Sequence, residues 1–133
     1  MLLKDLSARL PYGVKVRYSS TKEFITCKLH STNPIYKIVD LWNEKACFNS
    51  VHISKIKPYL FPMSSMTDEQ KDELLLIVCE LNDSDEWRYG HIIYIDDAYQ
   101  MDKLLDFYHK NHLDYRGLIE KGLAIDATGL NIY

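Results

Sequence analysis

The chain has 133 residues, of which 47% are hydrophobic and 26% are charged, and its formal net charge at pH 7 is −3. This composition excludes the disordered and low-complexity classes, and a domain of this length buries enough apolar surface to fold without a disulfide or metal staple. The first residues are too charged for a secretory signal peptide, and no apolar run is long enough to cross a bilayer, so we expect a protein outside the membrane.

The cysteines are odd in number and widely spaced, at Cys27, Cys47 and Cys79. Each lies among apolar residues, and none belongs to a CxxC pair. This pattern predicts buried, reduced thiols and a cytoplasmic chain rather than a disulfide framework.

Charge is distributed unevenly along the chain. Residues 1–62 contain ten Lys or Arg and four Asp or Glu, whereas residues 63–133 contain six and fifteen. We therefore expect a basic β-rich subdomain over 1–62 and an acidic α-rich subdomain over 63–133, joined in one compact folding unit. Their opposite charges favour attraction within one chain, or self-association between two copies.

The first half has the periodicities of one helix and several strands. Leucines from Leu2 to Leu10 recur at helical spacing until Pro11 and Gly13 end the pattern. The alternating stretches "GVKVRYS" and "EFITCKLH", followed by "IYKIVDLW" and "ACFNSVHI", predict four short strands. Residues 13–53 are therefore interpreted as a small antiparallel sheet or an SH3-like partial barrel.

The second half is predicted to be rich in helix. Pro58 and Pro62 indicate a connector in "KIKPYLFPMSSM", after which Thr67 and Gln70 form a capping box for a helix over 68–81. A strand in "WRYGHIIYI", an amphipathic helix in "DDAYQMDKLLDFYHKNH", a short helix in "DYRGLIEKG" and a closing strand in "LAIDA" follow. The expected fold class is α+β, with an N-terminal sheet and a helix-rich C-terminal half.

Two groups of residues are candidate sites. Lys15, Arg17, Lys28 and His30 point outward from the first two predicted strands and could bind nucleic acid. The alternative is an ordinary solvated face, because half-buried strands carry charge on their wet side.

His109 and His112 lie three residues apart on a predicted helix, and Asp114 follows, so the three side chains could supply zinc ligands. The alternative is that both histidines, partly protonated, stabilise the C-terminus of that helix. Neither reading explains Tyr115 and Arg116, which we interpret as a partner surface if they are exposed beside His112.

Three functions remain open. Because the chain has no glycine-rich phosphate loop and no GxSxG elbow, a non-enzymatic protein-interaction module without a cofactor is the first expectation. Nucleic-acid binding through Lys15, Arg17, Lys28 and His30 is the second. A metal-dependent enzyme built on His109, His112 and Asp114 is the third.

Three stretches carry a family resemblance: "LPYGVKV", "KIKPYLFPMSSMTDEQKDEL" and "HLDYRGLIEKGLAID". In matching order, they resemble a group of short uncharacterised proteins of Bacteroides-type gut bacteria and of their phages and mobile elements. The resemblance implies an intracellular accessory protein of a phage or mobile element. It implies no activity and assigns no catalytic residue.

Overall fold

The computed structural model describes residues 1–81 and 98–133. Its α-helices are α1 (Leu2–Arg9), α2 (Asp68–Leu81) and α3 (Ala98–Lys110), and its strands are β1 (Lys15–Ser19), β2 (Phe24–Asn33), β3 (Ile38–Trp42), β4 (Cys47–His52), β5 (Ile56–Leu60) and β6 (Ile125–Asp126). These strands form one mixed sheet in the order β4-β3-β2-β1-β5-β6. The α+β class is therefore confirmed. The predicted loop over 82–86 and the predicted strand over 87–95 lie outside the described residues.

Strands β1 to β4 form the predicted antiparallel meander. Val16 pairs with Cys27, and both side chains are buried in the core cluster that includes Leu6 of α1, whereas the next pair, Arg17 and Thr26, faces away from the core. The strict alternation fixes this register, because a slip of one residue would place the charges in the core. β2 continues to Asn33, three residues beyond the predicted strand end, and the turn then begins with Asn33 Oδ1 accepting from the backbone N–H of Ile35 at 3.1 Å.

The predicted connector after the meander contains a fifth strand, so this part of the prediction is wrong. β5 pairs with β1 along Ile56 to Pro58 and begins parallel pairing with β6 only at Tyr59. At Pro58, β5 therefore has a paired neighbour on one side alone, which is where a sheet tolerates a residue without an N–H. Burial of Leu60 explains why this proline-containing segment joins the sheet.

One hydrophobic core includes residues from both predicted halves of the chain. From the first half, Leu6 of α1 packs with the inward side chains of β1 and β2, and from the second half Leu118 and Ala124 join the same cluster. The helix α1 therefore covers the inner side of the sheet. Among the described residues, no helix is long and apolar enough to span a bilayer.

α2 begins as its sequence indicates. Residues 96 and 97, the first two of the predicted amphipathic helix, lie outside the described residues, and α3 ends at Lys110, two residues before the predicted end. Thr67 and Gln70 form the predicted reciprocal cap of α2: Thr67 N–H donates to Gln70 Oε1 at 3.0 Å, and Gln70 N–H donates to Thr67 Oγ1 at 3.1 Å. α2 packs on α3. Lys110 forms an ion pair with Glu73, and Gln70 Nε2 donates to Oδ1 of Asn111, the residue after α3, at 3.1 Å.

The short helix predicted between Asp114 and Gly122 is a series of turns instead. Gly117 interrupts it with a left-handed backbone (φ 70°), and Gly122 ends it with φ 71°. Asp114 still caps the segment, because its two carboxylate oxygens accept from the N–H groups of Leu118 and Ile119, each at 2.8 Å.

Burial of β5 generates a stability prediction. Leu60→Ala removes a fully buried side chain and should lower the free energy of unfolding by about 2 to 5 kcal/mol. The matched control is Leu75→Ala on α2, where the leucine is 55% exposed, and that variant should stay within about 0.5 kcal/mol of the parent. Urea denaturation followed by circular dichroism measures both, and equal losses would contradict the assignment of β5 to the core.

Candidate functional site

The outer side of the sheet gathers cationic side chains from three adjacent strands. Lys15 of β1 pairs with Lys28 of β2, and Arg17 of β1 pairs with Lys57 of β5. Directly paired residues share one face of a sheet, and His30 lies two residues beyond Lys28 on that face. We call this surface, formed by Lys15, Arg17, Lys28, His30 and Lys57, the basic face. It contains all four residues selected from the sequence.

Two exposed aromatic residues flank the basic face. Trp42, opposite Lys28 in the β2–β3 pair, is 47% exposed, and the ring of His30 stacks on its indole with centroids 3.8 Å apart. Phe24 at the start of β2 is 68% exposed, and the guanidinium carbon of Arg17 lies 4.3 Å from its ring centroid. Alternation in "FITCKLH" and "IVDLW" places both aromatic residues on the outward side, a signal that the sequence analysis did not use.

An open groove of about 900 Å³ lies between these aromatic residues. We call it the aromatic groove and define it by five of its lining residues, Phe24, Trp42, Lys15, Lys28 and Lys45. It combines two flat apolar rings with three ammonium groups. Such a surface suits a ligand that is both aromatic and anionic.

Lys15 is held at one end of the basic face. Its Nζ donates to the carbonyl oxygen of Ile132 at 2.8 Å, and its backbone N–H donates to the hydroxyl of Tyr133 at 2.9 Å. That hydroxyl donates in turn to Tyr59 O at 2.8 Å, and burial raises the pKa of Tyr133 to about 12. Lys15 is therefore anchored, whereas Lys28 is exposed and free to reach a ligand.

A buried charge cluster includes two residues of α1. Asp5 and Arg9 of α1 are both fully buried, with Arg9 Nε donating to Asp5 Oδ2 at 2.7 Å. Arg116 Nε lies 3.1 Å from Asp5 Oδ1, and Arg9 Nη2 donates to Leu113 O at 2.6 Å. One carboxylate thus lies between two guanidinium groups and connects α1 to residues 113–116.

Tyr115 and Arg116 contact this cluster. The Tyr115 hydroxyl forms a hydrogen bond with His109 Nε2 at 2.9 Å and accepts one from Arg116 Nε at 3.2 Å. The guanidinium carbons of Arg9 and Arg116 lie 5.4 and 5.1 Å from the Tyr115 ring centroid. Both residues are half-buried and direct polar groups to this cluster, so the partner surface at Tyr115 and Arg116 stays a prediction.

The two histidines do not share one helical face. His109 is in the last turn of α3 and is 6% exposed, whereas His112 lies beyond the helix end with a left-handed backbone (φ 54°). Burial lowers the pKa of His109, and burial together with the charges of Arg9 and Lys15 lowers the pKa of His112 to about 4. Both rings are therefore neutral at pH 7 and do not act as cations at the C-terminus of α3.

The predicted metal ligands are engaged elsewhere. His109 Nε2 bonds to Tyr115, both Asp114 oxygens accept backbone N–H groups, and the His112 ring stacks on Tyr133 with centroids 3.7 Å apart. Over residues 1–81 and 98–133, no three His, Cys, Asp or Glu side chains are arranged to hold a metal ion. The structure therefore does not bring His109, His112 and Asp114 together as a metal centre.

No protein-family model, curated protein or solved structure matches the chain. The resemblance to proteins of Bacteroides-type bacteria and their phages stays a prediction. The basic face and the aromatic groove are therefore the features of the molecule that point to a function.

The buried charge cluster generates a second stability prediction. Asp5→Asn leaves two guanidinium groups without their shared carboxylate and should lower the free energy of unfolding by about 3 to 5 kcal/mol. Urea denaturation at pH 7 measures the loss. The control is Asp68→Asn, because the Asp68 side chain is 99% exposed in its ion pair with Lys71. That variant should lose less than about 1 kcal/mol, and a comparable loss in both would refute a special role for Asp5.

His112 generates a pH prediction. Because folding lowers its pKa from 6.5 to about 4, the unfolded state binds more protons between these values. The stabilising contribution of neutral His112 is complete above pH 6.5 and decreases as the pH falls toward 4. His112→Asn retains a residue that tolerates the left-handed backbone, and its stability should fall less between pH 7 and pH 4.5. Identical pH dependence in both proteins, or an NMR titration of His112 near pH 6.5, would contradict this.

Proposed function

We propose that the chain binds nucleic acid through the basic face of its sheet. The observation that carries the proposal is the register of β1, β2 and β5, which sets Lys15, Arg17, Lys28 and Lys57 side by side. Paired positions on neighbouring strands lie about 5 Å apart, and successive outward positions on one strand lie about 7 Å apart. A cationic array of this spacing attracts the closely spaced phosphates of a nucleic acid and releases their counterions.

The local charge balance also supports this proposal. Two carboxylates, Glu23 and Glu44, line the aromatic groove together with its three lysines. Arg17 and Lys57 add to the cationic side of the balance, so the surface as a whole is positive. Such a small excess of positive charge predicts moderate affinity for nucleic acid, with a measurable salt dependence.

The other functions expected from the sequence have less support. A protein-interaction module was expected to use Tyr115 and Arg116, which face the buried charge cluster. A metal-dependent enzyme was expected to use His109, His112 and Asp114, whose polar groups have other contacts or stack on Tyr133. The basic face is the candidate whose residues converge.

Two further expectations belong with this proposal. We propose that the N-terminal sheet is an SH3-like partial barrel, supported by the strand order and by the 3-10 turn Ile53–Lys55 between β4 and β5. We also propose a cytoplasmic accessory protein of a phage or mobile element, which rests on the sequence resemblance alone.

A binding measurement tests the proposed function. A fluorescently labelled oligonucleotide should bind with an affinity that falls as salt rises from 50 to 200 mM, as measured by fluorescence anisotropy. The double variant Lys28→Ala/Lys57→Ala should bind about tenfold more weakly, and its log–log salt slope should be smaller in magnitude by about 1.4.

The matched control removes two lysines from other parts of the chain, Lys71 on α2 and Lys121 in the turns after α3. Lys71→Ala/Lys121→Ala changes the net charge equally, so it should retain most of the affinity if the basic face is the site. Equal losses in the two double variants, or no binding at 50 mM salt, would refute the proposal.

A further inference from the structure

The aromatic groove has an aromatic wall at each end. Trp42 and Phe24 both line it. His30 stacks on Trp42 at 3.8 Å and Arg17 lies over Phe24 at 4.3 Å. In the part of the chain that the structure describes, neither His30 nor Arg17 contributes to the lining. One face of each ring is therefore covered by a neighbouring side chain, and both rings line the groove.

The register gives the separation of the two walls. Phe24 and Lys28 are four residues apart on β2, which corresponds to about 13 Å along an extended strand. Trp42 lies opposite Lys28 on β3, so the two aromatic residues are roughly 14 Å apart. This distance leaves room for several stacked planar rings between them.

We propose that the aromatic groove holds the unpaired bases of a single-stranded nucleic acid, with end bases stacked on Trp42 and Phe24 and phosphates beside Lys28 and Lys45. This inference rests on the proposed nucleic-acid binding and narrows its substrate class. In a duplex, the base faces are covered by neighbouring base pairs, so flat side chains on a sheet cannot stack on them. A single strand can turn its bases toward the rings while its phosphates stay near the lysines.

Recognition of particular bases is expected to be weak. Asn43 lines the groove, but its side-chain oxygen already accepts from the backbone N–H groups of Lys45 and Ala46, each at 2.8 Å. Stacking is tolerant of sequence because every base has an aromatic face. Oligonucleotides of different sequence and equal length should therefore bind with affinities within about tenfold of one another.

The test compares a labelled 12-nucleotide single strand with the duplex of the same sequence, both by fluorescence anisotropy at low salt. The single strand should bind at least about tenfold more tightly than the duplex, because only the strand gains stacking. Trp42→Leu and Phe24→Leu should each weaken single-strand binding by roughly 5- to 150-fold. Duplex affinity and the salt slope should not change, because the lysines remain.

The control is Tyr36→Leu, which removes another exposed aromatic ring (72% exposed) from the turn after β2. It should leave single-strand binding unchanged, and Trp42→Phe should recover part of the affinity lost in Trp42→Leu. Because Trp42 and Phe24 are exposed, thermal melting should show that all variants remain folded.

The outcomes separate this inference from the proposed function. Equal, salt-dependent binding of strand and duplex, unaffected by Trp42→Leu and Phe24→Leu, would overturn the groove assignment while nucleic-acid binding stands. No binding of either oligonucleotide would refute both. A free mononucleotide that binds as tightly as the 12-mer would show that the groove is a small-molecule site, which also overturns the inference.

Discussion

The ion pair between Asp5 and Arg9 is the constraint on which the arrangement of this molecule depends. Both side chains are fully buried, and Arg116 approaches the same carboxylate at 3.1 Å. Buried charges are tolerated only when they are paired, so α1 and residues 113–116 must meet here. Since α1 also contributes Leu6 to the core, this contact fixes the helix over the inner side of the sheet and leaves the outer side open.

Strand register determines which side chains lie on the open side of the sheet. Alternation buries Val16 and Cys27, so their neighbours Arg17 and Lys28 must face outward. Outward charge alone would describe many solvated sheets. What distinguishes this face is the stacking of His30 on Trp42 and of Arg17 on Phe24. These contacts cover one face of each ring, and both rings line the aromatic groove. The proposed binding function depends on that arrangement.

The histidines show how tertiary contacts change the meaning of a local pattern. The spacing of His109 and His112 is compatible with a metal site or with cations at a helix end. The chain leaves the helix between them, because α3 ends at Lys110 and His112 adopts a left-handed backbone. Burial then lowers the pKa of both rings, so they act as neutral packing groups beside Arg9 and Tyr133.

The sequence by itself determined the features that depend on neighbouring residues. It predicted α1, the alternation that sets Lys15, Arg17, Lys28 and His30 outward, and the Thr67–Gln70 cap, because each depends on contacts within a few residues. Only the tertiary structure decided that the Pro58 segment is a strand, that Trp42 lies beside Lys28, and that Arg9 reaches Leu113, 104 residues away. Those contacts join distant segments whose partners are selected by burial and pairing, which local periodicity does not encode.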